Sequence, residues 1–158
     1  MRRKEREMRD PAFMHGVLAD ARQMCLAFNA DGAPYIVAVN HVFYKSALWF
    51  HCAAEGRKLD LLRADPRLGF FAAVDIAQDG TTTRYRSVCG TGRAEIINDA
   101  GLKLDILKAV AERFNAPCRF PVSSERLAAT TIVRMEIETL AGKYSRRGEG
   151  PNAALKTG

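Results

Sequence analysis

The densest run of chemically capable side chains is Trp49-Phe50-His51-Cys52-Ala53-Ala54-Glu55-Gly56-Arg57-Lys58-Leu59-Asp60. It reads as an apolar strand, a small-residue turn and the start of a helix. Backbone N–H groups at a helix start face outward at the positive end of the helix dipole. A guanidinium and an ammonium beside them complete what a phosphate dianion needs. Arg57 and Lys58, just after Gly56, supply that pair. The plain alternative is a solvated Arg-Lys pair on a surface helix. The chain contains neither G-x-G-x-x-G nor G-x-x-x-x-G-K-[ST], so neither a Rossmann dinucleotide site nor a P-loop is supported.

Two further groups could join such a site. His51 and Asn40 fall on neighbouring predicted strands and could reach one pocket, although a lone histidine in an apolar strand also serves as a hydrogen-bonded core residue. In Tyr85-Arg86-Ser87-Val88-Cys89-Gly90-Thr91 the alternation puts Tyr85, Ser87, Cys89 and Thr91 on one side, with Arg86 and Val88 on the other. Cys25, Cys52, Cys89 and Cys118 lack C-x-x-C spacing and lie in or beside apolar runs, so buried free thiols are expected. His15, His41 and His51 form no ligand motif, and no metal is expected.

The elements that would position these groups follow from periodicity and punctuation. Asp10 as N-cap and Pro11 at the first helical position open a short helix through Phe13, Val17 and Leu18. Met24 to Phe28, Tyr35 to Tyr44 and Leu48 to Ala53 read as a three-strand meander broken at Asp31-Gly32 and Lys45-Ser46. In the second strand Tyr35, Val37, Val39, His41 and Phe43 share a face. Leu59, Leu62 and Arg63 predict a short helix ending before Pro66. Leu68 to Ile76 and Arg84 to Ile97 are strands joined at Asp79-Gly80, and Gly90 and Gly92 predict a bulge or bend. From Asn98 as cap, Leu102, Ile106, Val110 and Phe114 recur every four residues and predict the longest helix. Thr131 to Ile137 is the last strand, and the chain from Gly142 reads as a frayed tail.

About six strands in mostly hairpin order, with too few helices for a doubly wound sheet, predict an α+β, mainly β fold: a small antiparallel barrel. Its interior is too small for a sizeable ligand, which would sit outside it or at a junction between subunits. The chain's 158 residues suit one domain over 1–143, followed by a flexible basic tail over 144–158. Charged residues break every apolar run well before membrane-spanning length. Met1 to Arg9 lack the apolar core of a secretory signal, so a cytoplasmic location is expected. The formal charge of +6 sits at the ends. Residues 1–9 hold five basic and two acidic side chains, residues 139–158 four and one, and 15 of each remain between them. That distribution argues against a nucleic-acid-binding face.

In chain order, Met1-Arg2-Arg3-Lys4-Glu5-Arg6-Glu7, Pro34-Tyr35-Ile36-Val37-Ala38-Val39-Asn40, Phe50 to Leu59 and Tyr85 to Gly92 resemble the nitroimidazole-resistance branch of the pyridoxamine 5'-phosphate oxidase-like flavoproteins. The resemblance spans roughly residues 1 to 143. It implies a split β-barrel and a homodimer with FMN in the groove between subunits. Carried over, it sets the FMN phosphate against Arg57 and Lys58 with the helix start at Gly56 beneath. Val39 and Asn40 then line the isoalloxazine ring, His51 and Ala53 flank the ribityl chain and ring edge, and Ser87 completes the groove. Ala38 stands where the family usually has proline, and Cys52 and Cys89 where small or aliphatic residues are common.

The resemblance implies an FMN-dependent, nitroreductase-like oxidoreductase acting on a small molecule, in which His51 polarises or protonates bound substrate. The substrate-binding signature of true pyridoxamine phosphate oxidases is missing. The alternative from another class is a flavin-, deazaflavin- or haem-binding module without turnover on the same barrel, with His51 or His41 as haem ligand.

Overall fold

The computed structural model describes residues 4–117 and 120–145. A single 3-10 turn, Lys4–Arg6, precedes strand β1 (Glu7–Met8). Helix α1 (Pro11–Asp20) begins as the sequence predicts: Asp10 Oδ1 accepts the Ala12 amide at 3.0 Å and Pro11 occupies the first turn. Met14, Val17 and Leu18 bury one face of it.

Strand β2 (Gln23–Phe28) pairs with β3 (Tyr35–Asn40). The predicted single strand over Tyr35 to Tyr44 is two strands, because the chain breaks at His41 before β4 (Val42–Tyr44). His41 is fully buried, and its Nε2 lies 2.9 Å from the Leu18 carbonyl. That hydrogen bond to α1 takes the residue out of the ladder. Its burial holds its pKa below the ordinary histidine value.

Next come β5 (Ala47–Ala53), α2 (Arg57–Ala64), β6 (Arg67–Asp79) and β7 (Thr82–Ile97). Helix α2 ends before Pro66, as expected. A bulge does fall where the glycines predict one: the β7 register shifts between Thr91 and Gly92. A Cβ at Gly90 would meet the Thr139 carbonyl and stand 2.7 Å from Phe70 Cζ, so the ladder closes there only on glycine.

Helix α3 (Ala100–Phe114) is capped by Asp99, whose Oδ1 accepts the Leu102 amide at 2.7 Å, rather than by Asn98. A short α4 (Ser124–Ala128), not foreseen, follows Ser123 as its cap. The last strand, β8, runs Thr130–Ser145, well past the expected end at Ile137 and past the Gly142 and Lys143 boundaries. It is long because it has partners along its whole length: β5 and β7, and β1 near its end. Residues 146–158 of the expected basic tail lie outside the described residues.

Eight strands, not six, form one antiparallel sheet in the order β3-β2-β6-β7-β8-β5-β4, with β1 beside β8. The architecture is the expected mainly β split barrel with inserted helices, and the sheet does not close. Among the described residues no ladder joins its two ends, β3 and β4, which the chain links through His41. The interior is filled: Leu26, Phe28, Leu48, Phe50, Val133 and Met135 are all buried to within 1% exposure. A second cluster packs α3, through Ile106 and Val110, on the outer face of Ala47, Trp49 and Ile132. The cysteine expectation needs correction. Cys25 and Cys89 are exposed, because both stand on outward positions of β2 and β7, and Cys52 is half-buried. Cys118 lies outside the described residues.

Candidate functional site

The split in the barrel is the natural place to look for a ligand. Strand β3 pairs along one edge with β2. Strand β5 pairs along one edge with β8, and β4 covers its other edge only over Ala47–Trp49. The edge of β3 and the edge of β5 beyond Trp49 therefore approach each other across the split with unpaired backbone groups. From Tyr35 to Asn40 the β3 lip runs about 17 Å at ordinary strand rise.

Each predicted site residue can be placed on this frame. Val39 and Asn40 lie at the far end of the β3 lip. The Val39 side chain is buried inward, so it offers the split its backbone alone. Asn40 points outward, and its Oδ1 accepts from Gln23 Nε2 at 3.3 Å. His51 and Ala53 are exposed on the β5 lip. Gly56, Arg57 and Lys58 start α2 at the other end of the split, where the Arg57 guanidinium lies 5.0 Å over the Tyr35 ring.

The structure does not bring every candidate together. Asn40 lines a cleft with Arg22, Gln23, Ala73 and Phe114, whereas His51 lines another with α3 and α4, so the two do not share a pocket. Ser87 is three strands from β3 in the sheet order, about 14 Å at normal spacing. It sits on the outer face between Ala73 and Lys143, in a cavity of about 380 Å³ that Phe71, Ile76 and Tyr85 also line.

The start of α2 differs from the other helix starts. Helices α1, α3 and α4 begin on the side-chain oxygens of Asp10, Asp99 and Ser123. Helix α2 begins on Gly56, at φ 128°, ψ 164°, with no side-chain cap. That backbone angle is open to glycine and strained for other residues, and the space where a Cβ would sit is empty. The Gly56 carbonyl accepts from Leu59 and Asp60. Among the described residues the Arg57 and Lys58 amides reach no acceptor, and neither side chain has a carboxylate partner. Two free amides and two cations thus stand together at this helix start, Arg57 against the Tyr35 ring and Lys58 half-buried.

Charge also shapes the β5 lip. Partial burial, then Lys58 and Arg126, hold the His51 pKa below the ordinary value, so the ring is neutral at pH 7. Burial pushes the Cys52 thiol up, against the opposing pull of Lys58 and Arg63, which disfavours its thiolate. Arg126, on α4, was missed by the sequence reading; Ser123, a preferred cap residue three positions earlier, was the available signal. Among the described residues no three His, Cys, Asp or Glu side chains cluster as metal ligands.

A family model described as pyridoxamine 5'-phosphate oxidase matches residues 10–144. The chain belongs to this family. No curated protein matches it significantly. Among solved structures, this pyridoxamine 5'-phosphate oxidase family member is similar to a proposed 5-nitroimidazole antibiotic resistance protein of Bacteroides thetaiotaomicron. That match has 17% identity and TM-score 0.77, over 87% of this chain and 86% of the other. It is also similar to an FAD- and haem-binding protein of Mycobacterium smegmatis, at 20% identity and TM-score 0.78, over 95% and 78%. A flavocytochrome of Azotobacter vinelandii matches at 19% identity and TM-score 0.76, over 89% and 69%. At these identities the likeness establishes the split-barrel fold. Among the described residues, no helix of this family member is long and apolar enough to cross a membrane.

Proposed function

We propose that the protein is an FMN-dependent oxidoreductase of the nitroreductase-like kind, working as a cytoplasmic homodimer on a small molecule. The observation that carries the reading is the start of α2: uncapped, on Gly56, with two free amides and the Arg57 and Lys58 side chains at one end of an open split. A terminal phosphate fits that cradle. A ribityl chain and ring can then run along the split, past His51 and Ala53 on one lip and the Val39 backbone and Asn40 on the other. Family membership supports a flavin, as do the names of two similar structures, a flavocytochrome and an FAD- and haem-binding protein.

The second subunit completes the groove in this reading. The barrel interior is packed, and the outer face of β3, β2, β6 and β7 carries Ile36, Phe71 and Ile76 at 63%, 48% and 68% exposure. Apolar side chains so exposed on one face suit burial against a second copy. Ser87, remote from the α2 start within one chain, then reaches the ligand of its neighbour.

The flavin, when bound, supplies the electron or hydride transfer. The chain supplies phosphate binding, ring orientation and, at His51, a neutral imidazole that can donate a hydrogen bond to substrate. Haem is less well served at His41, which is buried and engaged with Leu18. The test is an absorption spectrum of the purified protein, then nicotinamide-driven reduction of a nitroaromatic. A colourless protein that takes up no added FMN overturns the reading. Bound flavin that no nicotinamide donor reduces, or a Soret band, replaces it with a non-catalytic binding module. Light scattering that gives a monomer still binding FMN tightly overturns the dimer.

A further inference from the structure

The outer face of β5 carries Ala47, Trp49 and His51 in succession. Ala47 and Trp49 are sealed under α3, but at His51 the helix and the sheet part and leave a cavity of about 180 Å³. Leu107, Val110 and Ala111 of α3 and Val122 form its apolar body. Its polar groups, His51, Arg126 and Thr130, come from β5, α4 and β8. The Thr130 hydroxyl donates to the Arg126 carbonyl at 2.9 Å, and Ser123 Oγ accepts the Arg126 amide at 3.2 Å. Those two bonds fix the backbone that carries the Arg126 side chain.

The charge here is one-sided. Arg126 and Lys58 both act on His51, and among the described residues neither forms an ion pair. A neutral imidazole, a guanidinium fork and an aliphatic floor are the parts that hold a carboxylate attached to a small apolar body. The volume lies below the 300 Å³ or so at which drug-sized ligand pockets begin, which limits the body to about one ring.

We propose that this cavity is a binding site for a small aromatic or branched aliphatic carboxylate, with its anionic group at Arg126 and His51 and its apolar body against Leu107, Val110 and Val122. Because His51 also stands on the lip of the split, a molecule bound there borders the cofactor groove. Its role as substrate rests on the flavin reading; its binding does not.

The experiment is calorimetric titration of the purified protein, with and without FMN, using benzoate, its neutral isostere benzamide, and acetate. Benzoate is expected to bind at least tenfold more tightly than acetate. Arg126→Gln should weaken benzoate about tenfold and benzamide less than twofold. Ala111→Trp, which fills the cavity, should abolish binding of both. Neither change should alter FMN affinity. Benzoate binding no tighter than acetate, or unaffected by Arg126→Gln, overturns the proposal. So does benzoate binding that Lys58→Ala removes while Arg126→Gln spares, since the anion then sits in the α2 cradle. Benzoate binding that follows the expected pattern in a protein that takes up no FMN sustains the site and overturns the flavin reading alone.

Discussion

Helices α3 and α2 begin in opposite ways. Helix α3 starts on Asp99, whose carboxylate takes the Leu102 amide, so its positive end is neutralised by its own chain. Helix α2 starts on Gly56, with no side chain to do so and two cations added beside it. A helix start that the chain leaves unneutralised and makes more positive gives up local stability and gains affinity for an anion. On the proposed flavin reading the contrast separates a stability determinant from a binding determinant within one molecule, and each can be perturbed by a single substitution.

The largest effect is expected from removing the contrast outright. Gly56→Asp puts a carboxylate at the start of α2, adds a negative charge to the cradle and forces a non-glycine residue to φ 128°. FMN affinity should fall more than a hundredfold in a fluorescence-quenching titration, and riboflavin affinity much less. Equal losses for both ligands would mean that the change acts through the fold. Lys58→Ala is the milder version. Loss of one charge-assisted contact, about 1.5–3 kcal/mol, should weaken FMN roughly ten- to a hundredfold. Riboflavin binding and apo stability should barely move. If FMN is untouched, the phosphate is held elsewhere and Arg57-Lys58 is a solvated pair.

The converse substitution is Asp99→Ala. It should cost about 1 kcal/mol in urea unfolding and leave FMN affinity unchanged. A loss of FMN binding comparable with that of Lys58→Ala would abolish the distinction between the two helix starts.

The smallest effect concerns pH. His41 is the fully buried counterpart of the partly desolvated His51, and both are held below the ordinary histidine pKa, chiefly by loss of solvent around the ring. The unfolded chain therefore takes up protons at these sites first, near pH 6.5, while the native state resists them. Stability is fully present above that pH and falls as pH drops through it toward the lower native values. His41→Gln should flatten the dependence of unfolding free energy on pH between 7 and 5 more than His51→Gln does. The reverse order would show that His41 is not the dominant buried titrating group.

Much of the fold was legible because its signals are local. Asp10-Pro11 marks the start of α1 and Pro66 the end of α2, each within a few residues. The alternation of Tyr35, Val37 and Val39 against Ile36, Ala38 and Asn40 correctly divides β3 into inner and outer faces. The start of α2 was legible for the same reason, since Gly56, Arg57 and Lys58 are consecutive. What misled was also local. Apolar neighbours made Cys25 and Cys89 look buried, but a strand alternates faces whatever its neighbours are, and both stand at exposed outward positions.

The sequence by itself therefore determined the starts of α1 and α2, the strand alternation, the bulge near Gly92 and the pairing of Arg57 with Lys58. Each depends on backbone valence and side-chain type over one or two turns. Tertiary structure decided where the split opens, that His41 leaves the ladder for the Leu18 carbonyl, and that β8 runs to Ser145 between long partners. It also decided that Arg126 stands near His51, 75 positions earlier in the chain. The physical reason is that these outcomes are set by pairings between distant segments, β5 with β8 above all. The free energy of such contacts depends on which faces α3 covers and which it leaves open, and no short stretch of sequence contains that information.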